Sequence, residues 1–241
     1  MKITNEERAV LAFYQKQVKA AQDAGKVPSD CKVVWSSLRM ESTALATQSA
    51  ISFAMNVNDQ SIPASPTEIR LQQVDTFVMT RVSVLLMRRP AGVQNNQSRL
   101  YTFPNPNVFT AAGEATALES VYNGLLNIMV NRNLYTPQLD TRQFYRVPIA
   151  QEGTATAGAL PAGMVSAGYT RDAWGDADWA FIEGIPTIAF FGGKTNQIEI
   201  DLRQSAAMAA AGGAANFAVV FMRGFLLQNF NSDQMNVSFS K

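Results

Sequence analysis

The stretch IPTIAFFGGKTNQIEIDL, residues 185–202, decides between two very different folds for this chain. Its GGKT motif matches the end of a phosphate-binding loop, which also needs an earlier glycine and a helix after the lysine. Ile188 stands where that glycine should be, and residues 197–202 alternate strictly between polar and apolar side chains. A period of two is typical of a β-strand with one buried face. We therefore predict a β-hairpin, in which strands at 186–191 and 197–202 are joined by a turn whose glycines adopt positive φ.

Further runs of alternating or β-branched residues predict that most of the chain is β-structure. The predicted strands cover residues 32–38, 51–57, 77–87, 99–103, 125–132, 143–147 and 217–227, and a short helix is expected at 114–122. No helix recurs between successive strands, which argues against a parallel sheet. Antiparallel strands with long, unequal connections are typical of Greek-key sandwiches, of which the jelly roll is the eight-stranded form. We predict a mainly β fold, an antiparallel jelly-roll-like β-sandwich formed by residues 27–241.

Residues 1–26 are predicted to form an amphipathic helical arm in front of the sandwich. Thr4 and Glu7 have the spacing of a capping box, in which each side chain accepts a hydrogen bond from the backbone amide of the other residue. Apolar residues recur at helical spacing after Glu7, and Gly25 supplies a stop. The helix, over residues 5–24, either covers an edge of its own domain or lies on a neighbouring subunit. The sequence leaves both interpretations open.

The chain of 241 residues contains no histidine and one cysteine, Cys31. Without histidine there is no Ser-His-Asp or Cys-His pair and no imidazole ligand for zinc, iron or copper. Metal sites of the cupin type are excluded for the same reason. A lone cysteine forms no internal disulfide, and without an imidazole to activate it Cys31 is expected to be a small buried hydrophobic residue. We therefore expect no catalytic residues, no cofactor and no enzymatic activity.

Charged residues make up only 16% of the chain, and the net charge is +1. This is low for a soluble domain, so amide and hydroxyl side chains must supply much of the polar surface. Such a surface has little long-range repulsion and packs readily against copies of itself. Arg88 and Arg89 form the only adjacent basic pair. We expect no strong nucleic-acid binding by the folded body.

The sequence also bears on where the protein is made. Residues 1–8 lack the apolar segment of a secretory signal, and no apolar run approaches the roughly 20 residues needed to span a bilayer. We expect a soluble protein without a transmembrane segment, made in the cytoplasm.

One short stretch combines acidic and aromatic residues. It contains Asp172, Asp176 and Asp178 together with Trp174 and Trp179. An EF-hand loop would need further ligands at positions 180 and 187, where alanine and threonine stand. The aspartates either cap turns between the packed tryptophans or bind calcium, and pairing of Asp176 or Asp178 with Glu183 in a glycosidase is a third alternative. With Tyr169, the tryptophans either form a sugar-stacking platform or pack in the core or against another subunit.

Three segments, together with the N-terminal helix, resemble the jelly-roll coat proteins of bacterial viruses. They are YTFPNPNVF at residues 101–109, LESVYNGLL at 118–126 and NFAVVFMRGF at 216–225. The resemblance covers most of the chain as architecture. It implies a protein that self-associates through strand edges, loops and the N-terminal arm, without catalysis.

The arm departs from those coat proteins that bind the genome through a strongly basic arm. Its basic residues, Lys2, Arg8, Lys16, Lys19 and Lys26, are offset by Glu6, Glu7 and Asp23. A shell that is filled by other means fits this arm better. The expected function is a capsid shell or vertex subunit, located in the virion, whose partners are copies of itself and other virion proteins. The alternative is a carbohydrate- or receptor-binding β-sandwich of a phage fibre or decoration protein.

Overall fold

The computed structural model describes residues 4–45, 47–147 and 181–230, which form two packed antiparallel sheets preceded by a helix. Helix α1 spans Asn5–Asp23, and the short helix α2 spans Glu114–Leu118. The described strands are β1 (Lys32–Thr43), β2 (Gln48–Ala54), β3 (Thr76–Arg89), β4 (Leu100–Tyr101), β5 (Leu125–Val130), β6 (Asn133–Asp140), β7 (Ile182–Phe191), β8 (Asn196–Ala206) and β9 (Ala215–Gln228).

The strand order is that of a jelly roll. One sheet has the order β1-β9-β3, with β4 and β7 pairing with different parts of the far edge of β3, and the other has the order β2-β8-β5-β6. When the two-residue β4 is set aside, eight strands remain. They pair antiparallel from the ends of the chain inwards, as β1 with β9, β2 with β8, β3 with β7 and β5 with β6. This winding produces two Greek keys, and it confirms the predicted antiparallel jelly-roll-like β-sandwich.

The main apolar core lies between the two sheets, because alternate residues of each strand point inward. The segment that contains α2 closes one end of this core. As expected from their spacing, Leu118, Val121 and Tyr122 are fully buried. The Tyr122 hydroxyl donates long hydrogen bonds to the carbonyls of Val84 (3.5 Å) and Tyr101 (3.3 Å), so even this polar group is partnered.

Helix α1 begins at the predicted capping box. The Thr4 amide donates to Glu7 Oε2 (2.8 Å), and the Glu7 amide donates to Thr4 Oγ1 (3.2 Å). The buried side of the helix packs on the outer face of the five-stranded sheet. It does so through Tyr14, Val18 and Ala21, which form one apolar cluster with Val78, Phe225 and Leu227. In the described chain, the apolar stripe of the helix is therefore covered by its own sheet.

The strand–turn–strand pattern of residues 186–202 is present, but the predicted hairpin is wrong. Strand β7 pairs with β3 in one sheet, whereas β8 pairs with β2 and β5 in the other. The turn between them therefore crosses from sheet to sheet. Neither Gly192 nor Gly193 adopts positive φ. A Cβ on Gly192 would instead lie 1.8 Å from the Gln72 carbonyl oxygen, so glycine is needed there for a close backbone approach.

The prediction of a strand at residues 143–147 is also wrong. A 3₁₀ turn, Thr141–Phe144, occupies most of that stretch, and the strand lies earlier, as β6. Strand β6 contains Pro137 and has Gln138 at φ 61°, and its register against β5 shifts twice. These irregularities disturb the alternation that a strand such as β8 shows, because a bulge moves the following side chains to the opposite face.

Candidate functional site

Most of the acidic and aromatic residues singled out from the sequence lie outside the described residues. These are Tyr169, Asp172, Trp174, Asp176, Asp178 and Trp179. Glu183 lies on β7 with its side chain 56% exposed, and its carboxylate is 3.8 Å from the guanidinium of Arg81. Arg81 also holds the buried carboxylate of Glu7 at 2.9 Å. Among the described residues, Glu183 thus belongs to a group of ion pairs that lies at the start of α1.

The GGKT motif forms no phosphate-binding loop, because strand β8 and not a helix follows it. Amide side chains fix the turn instead. Asn56 Nδ2 donates to the Lys194 carbonyl (2.7 Å), and Asn196 Nδ2 donates to Asn56 Oδ1 (2.8 Å) and to the Phe191 carbonyl (2.9 Å). These bonds hold the crossing between the two sheets in one geometry.

Cys31 is buried, as expected for a small hydrophobic residue. Burial raises the pKa of its thiol, and the nearby Asp30 and Asp75 raise it further. Because the thiolate is the nucleophilic form, this thiol is not prepared for catalysis. Within the described parts of the chain, no three acidic, cysteine or histidine side chains lie together as a metal site would require.

The adjacent arginines of β3 make internal contacts. Arg88 Nη1 lies 3.3 Å from the buried carboxylate of Glu114, which also accepts from Asn216 Nδ2 (2.8 Å). Arg89 lies over the ring of Phe217 and donates to Asn95 Oδ1 (3.1 Å). Both guanidinium groups are thus tied to neighbouring segments of the same sandwich.

An open groove of about 900 Å³ lies between the α2 segment and the end of β8. Its walls come from residues 111–123 and 202–211, and alanine is the commonest residue among them. One wall bulges, because four residues of β8 (202–205) stand opposite one residue of β2 (position 49) between the pairs Ala50–Asp201 and Gln48–Ala206. Arg203 at the bulge adopts φ 60°, and its amide donates to Asp201 Oδ1 (2.8 Å). The groove is wide and open, and its lining mixes small apolar residues with exposed polar side chains such as Arg203 and Gln204, a composition that suits a protein contact.

The opposite end of the four-stranded sheet carries an exposed apolar tip. Strands β5 and β6 are joined by a two-residue turn in which Asn131 and Arg132 both have positive φ, the geometry of a tight hairpin. Just beyond it, Leu134 and Tyr135 are 50% and 44% exposed. Strand β5 begins two residues after Asn123, which lines the groove, and ends at this turn, so groove and tip lie at opposite ends of the same sheet. Adjacent exposed apolar side chains often mark a contact surface.

A buried polar cluster closes the edge of the second half of β1. The Arg39 guanidinium lies 2.7 Å from Glu41, and the Glu41 amide donates to Glu68 Oε1 (2.7 Å). Asn95 Nδ2 also donates to Glu41 (3.0 Å), and Arg70 lies 2.8 Å from Glu68. The cluster holds residues 65–71 against the strand. Among the described residues, none covers the edge of the first half of β1 in this way.

No family model, curated protein or solved structure matches this chain. Among the described helices, none is long and apolar enough to cross a membrane. The function is therefore argued from the fold and its surfaces. The groove, the apolar tip and the uncovered edge were not predicted from the sequence, because each depends on how segments distant in sequence pack together. Only the apolar pair Leu134-Tyr135, which follows a turn, can be recognised in the sequence itself.

Proposed function

We propose that this protein is a structural subunit of a virus particle, a capsid shell or vertex protein that assembles with copies of itself and other virion proteins. The observation that carries the proposal is the jelly-roll winding of the eight main strands. Jelly rolls of two sheets serve chiefly as viral capsid domains, lectin domains and cupins. A chain without histidine lacks the usual metal ligands of a cupin. Capsid and lectin roles remain.

The described surface supports the capsid role. An alanine-lined groove lies at one end of the four-stranded sheet, and the exposed Leu134 and Tyr135 lie at the other. A body with different contact surfaces at its two ends can join copies head to tail, which builds closed rings or extended arrays. The low charge of the chain leaves little electrostatic repulsion between such copies.

A carbohydrate- or receptor-binding module of a phage fibre is the other candidate of this fold class. Its stacking residues would be Tyr169, Trp174 and Trp179, which lie outside the described residues. No observation on the described residues favours it over assembly.

Size-exclusion chromatography with light scattering, over a wide range of protein concentration, tests the proposal. We expect large, discrete oligomers, and negative-stain microscopy of the same fractions should show rings, plates or shells. A chain that stays monomeric at its highest attainable concentration would contradict a shell role. Glycan binding by that monomer, lost in Trp174→Ala or Trp179→Ala, would assign it to the second candidate.

A further inference from the structure

The first half of β1 has an edge whose main-chain groups are unpaired. Strand β1 pairs with β9 on one side, without a register shift, from Lys32 to Thr43. On its other side, Arg39 and Ile69 exchange two backbone hydrogen bonds (3.0 and 2.9 Å). Before Arg39 nothing in the described chain pairs with this side of the strand. The open stretch is residues 33–37, which we call the β1 edge.

The alternation of an antiparallel ladder shows which groups are open. Because Arg39 directs its N–H and C=O groups to Ile69, it does not direct them to β9, and the same holds for every second residue along the strand. Val33, Trp35 and Ser37 therefore point three N–H and three C=O groups away from the sheet. None of these groups has a partner among the described residues. All three residues are half-exposed, so another strand can reach them.

Two other sheet edges, those of β2 and β6, are less suited to pairing. On β2, the edge residues Ile51 and Phe53 are 0% and 3% exposed, so a second strand cannot approach them. On β6, Pro137 interrupts the strand, and two register shifts with a positive φ at Gln138 bend it. Proline and bulges are common ways in which proteins block an open edge. The β1 edge has neither, and Lys32 is the only charged residue at positions 32–38.

We propose that the β1 edge is a contact between two copies of this chain, which pair antiparallel about a two-fold axis near Trp35. Val33 then faces Ser37 of the partner subunit, and the five-stranded sheets of the two copies join into one continuous sheet. The pairing satisfies all the open main-chain groups at once. This inference rests on the proposed self-assembly and names one of its contacts.

Two features favour a second copy over a strand of another protein. The open groups are spaced symmetrically about Trp35, so the same stretch running in reverse presents a matching set of donors and acceptors. The pairing also brings no like charges together, because Lys32, the only charge of residues 32–38, faces Leu38 of the partner subunit. On the outer face, Trp35 already packs edge-on against Phe225 at 5.2 Å, so its ring is held in place before pairing.

A proline at position 37 should disrupt the contact between copies without disrupting the fold of the single chain. The Ser37 N–H makes no bond to β9, so Ser37→Pro removes no native ladder bond, and edge strands tolerate proline at such positions. The ring does remove one donor of the intermolecular ladder and blocks close approach. We expect Ser37→Pro to weaken association about tenfold or more while melting remains cooperative. The matched control is Ser37→Ala, which keeps the N–H and should assemble like the wild type.

Amide hydrogen exchange in the wild-type chain gives a second readout that needs no variant. In dilute protein the amides of Val33, Trp35 and Ser37 should exchange fast, and on assembly they should slow at least tenfold. The amides of Val34 and Ser36, which face β9, should be protected in both states.

Each outcome bears on a different statement. An assembled protein whose Val33, Trp35 and Ser37 amides still exchange fast would overturn the edge pairing and leave the proposed function intact. Normal assembly of Ser37→Pro would do the same. Protection that arises only when a different protein is added would assign the edge to that protein. A chain that never self-associates would overturn both proposals.

Discussion

Gly192 lies where the chain leaves one sheet for the other, and its lack of a side chain makes that crossing possible. Its amide donates to the Asp75 carbonyl (2.9 Å), which places the turn against the segment before β3. A Cβ on Gly192 would overlap the Gln72 carbonyl, and neither backbone segment is free to move. Gly224 plays a similar part in β9, where a Cβ would lie 1.9 Å from the Val78 carbonyl beside the register shift of β3.

The two glycines of the GGKT turn should therefore differ sharply in their tolerance of alanine. We expect Gly192→Ala to lower the free energy of unfolding by about 3 kcal/mol or more, because the overlap is with backbone. Gly193→Ala is the matched control. Its Cβ would lie an ordinary 3.6 Å from the Gln73 carbonyl, so we expect a change of about 0.5 kcal/mol. Urea unfolding of both variants measures the difference, and equal losses would refute the close-approach explanation.

At the scale of elements, helix α1 is joined to the sandwich by a buried ion pair as well as by apolar packing. Glu7 caps the helix and contacts the Arg81 guanidinium at 2.9 Å, and both side chains are almost fully buried. Thr80 Oγ1 donates to the same carboxylate (3.3 Å). Arg81 follows the register shift of β3, so an irregularity of the strand places the cation under the start of the helix.

Removing the charge of Glu7 should loosen this junction. Glutamine can still cap the helix, so the main effect of Glu7→Gln is to remove the carboxylate charge that lies 2.9 Å from the buried Arg81. We expect a loss of about 3 kcal/mol in the free energy of unfolding. The matched control is Glu6→Gln, an exposed residue of the same helical turn, with an expected loss of about 0.5 kcal/mol. Comparable melting temperatures for the two variants would show that the ion pair does not anchor the helix.

Local sequence patterns predicted where helices and strands lie better than they predicted which strands pair with each other. The capping box and helical spacing predicted α1, and long runs rich in apolar and β-branched residues predicted β3 and β9, which are buried along nearly their whole length. Strand β6 was missed because Pro137 and the bulges disturb its period. The β7–β8 pairing was wrong because a hairpin and a crossing between sheets have the same local sequence pattern. The β1 edge was invisible for a related reason, since an edge is defined by what lies beside a strand.

For the whole molecule, the low charge determines how copies can hold together. Few ion pairs are available between surfaces with 16% charged residues, so the proposed association must come from apolar burial and main-chain or amide hydrogen bonds. Salt screens the attraction between charges, but it does not screen apolar burial or hydrogen bonds between uncharged groups in this way. The groove and the apolar tip are surfaces of this kind, because small apolar and uncharged polar residues make up most of the first and Leu134 and Tyr135 form the second.

Assembly should therefore persist, or increase, when NaCl is raised from about 0.1 to about 1 M, a change that shortens the Debye length from about 10 to about 3 Å.

The variant Leu134→Ser should weaken assembly by about 1 kcal/mol per contact, since a side chain that is 50% exposed has about half of its apolar surface left to bury. Arg132→Ser, at the same hairpin tip, is the control and should change little. Light scattering at both salt concentrations measures these effects. Dissociation at high salt, or a larger loss in Arg132→Ser than in Leu134→Ser, would mean that charge pairs hold the particles together.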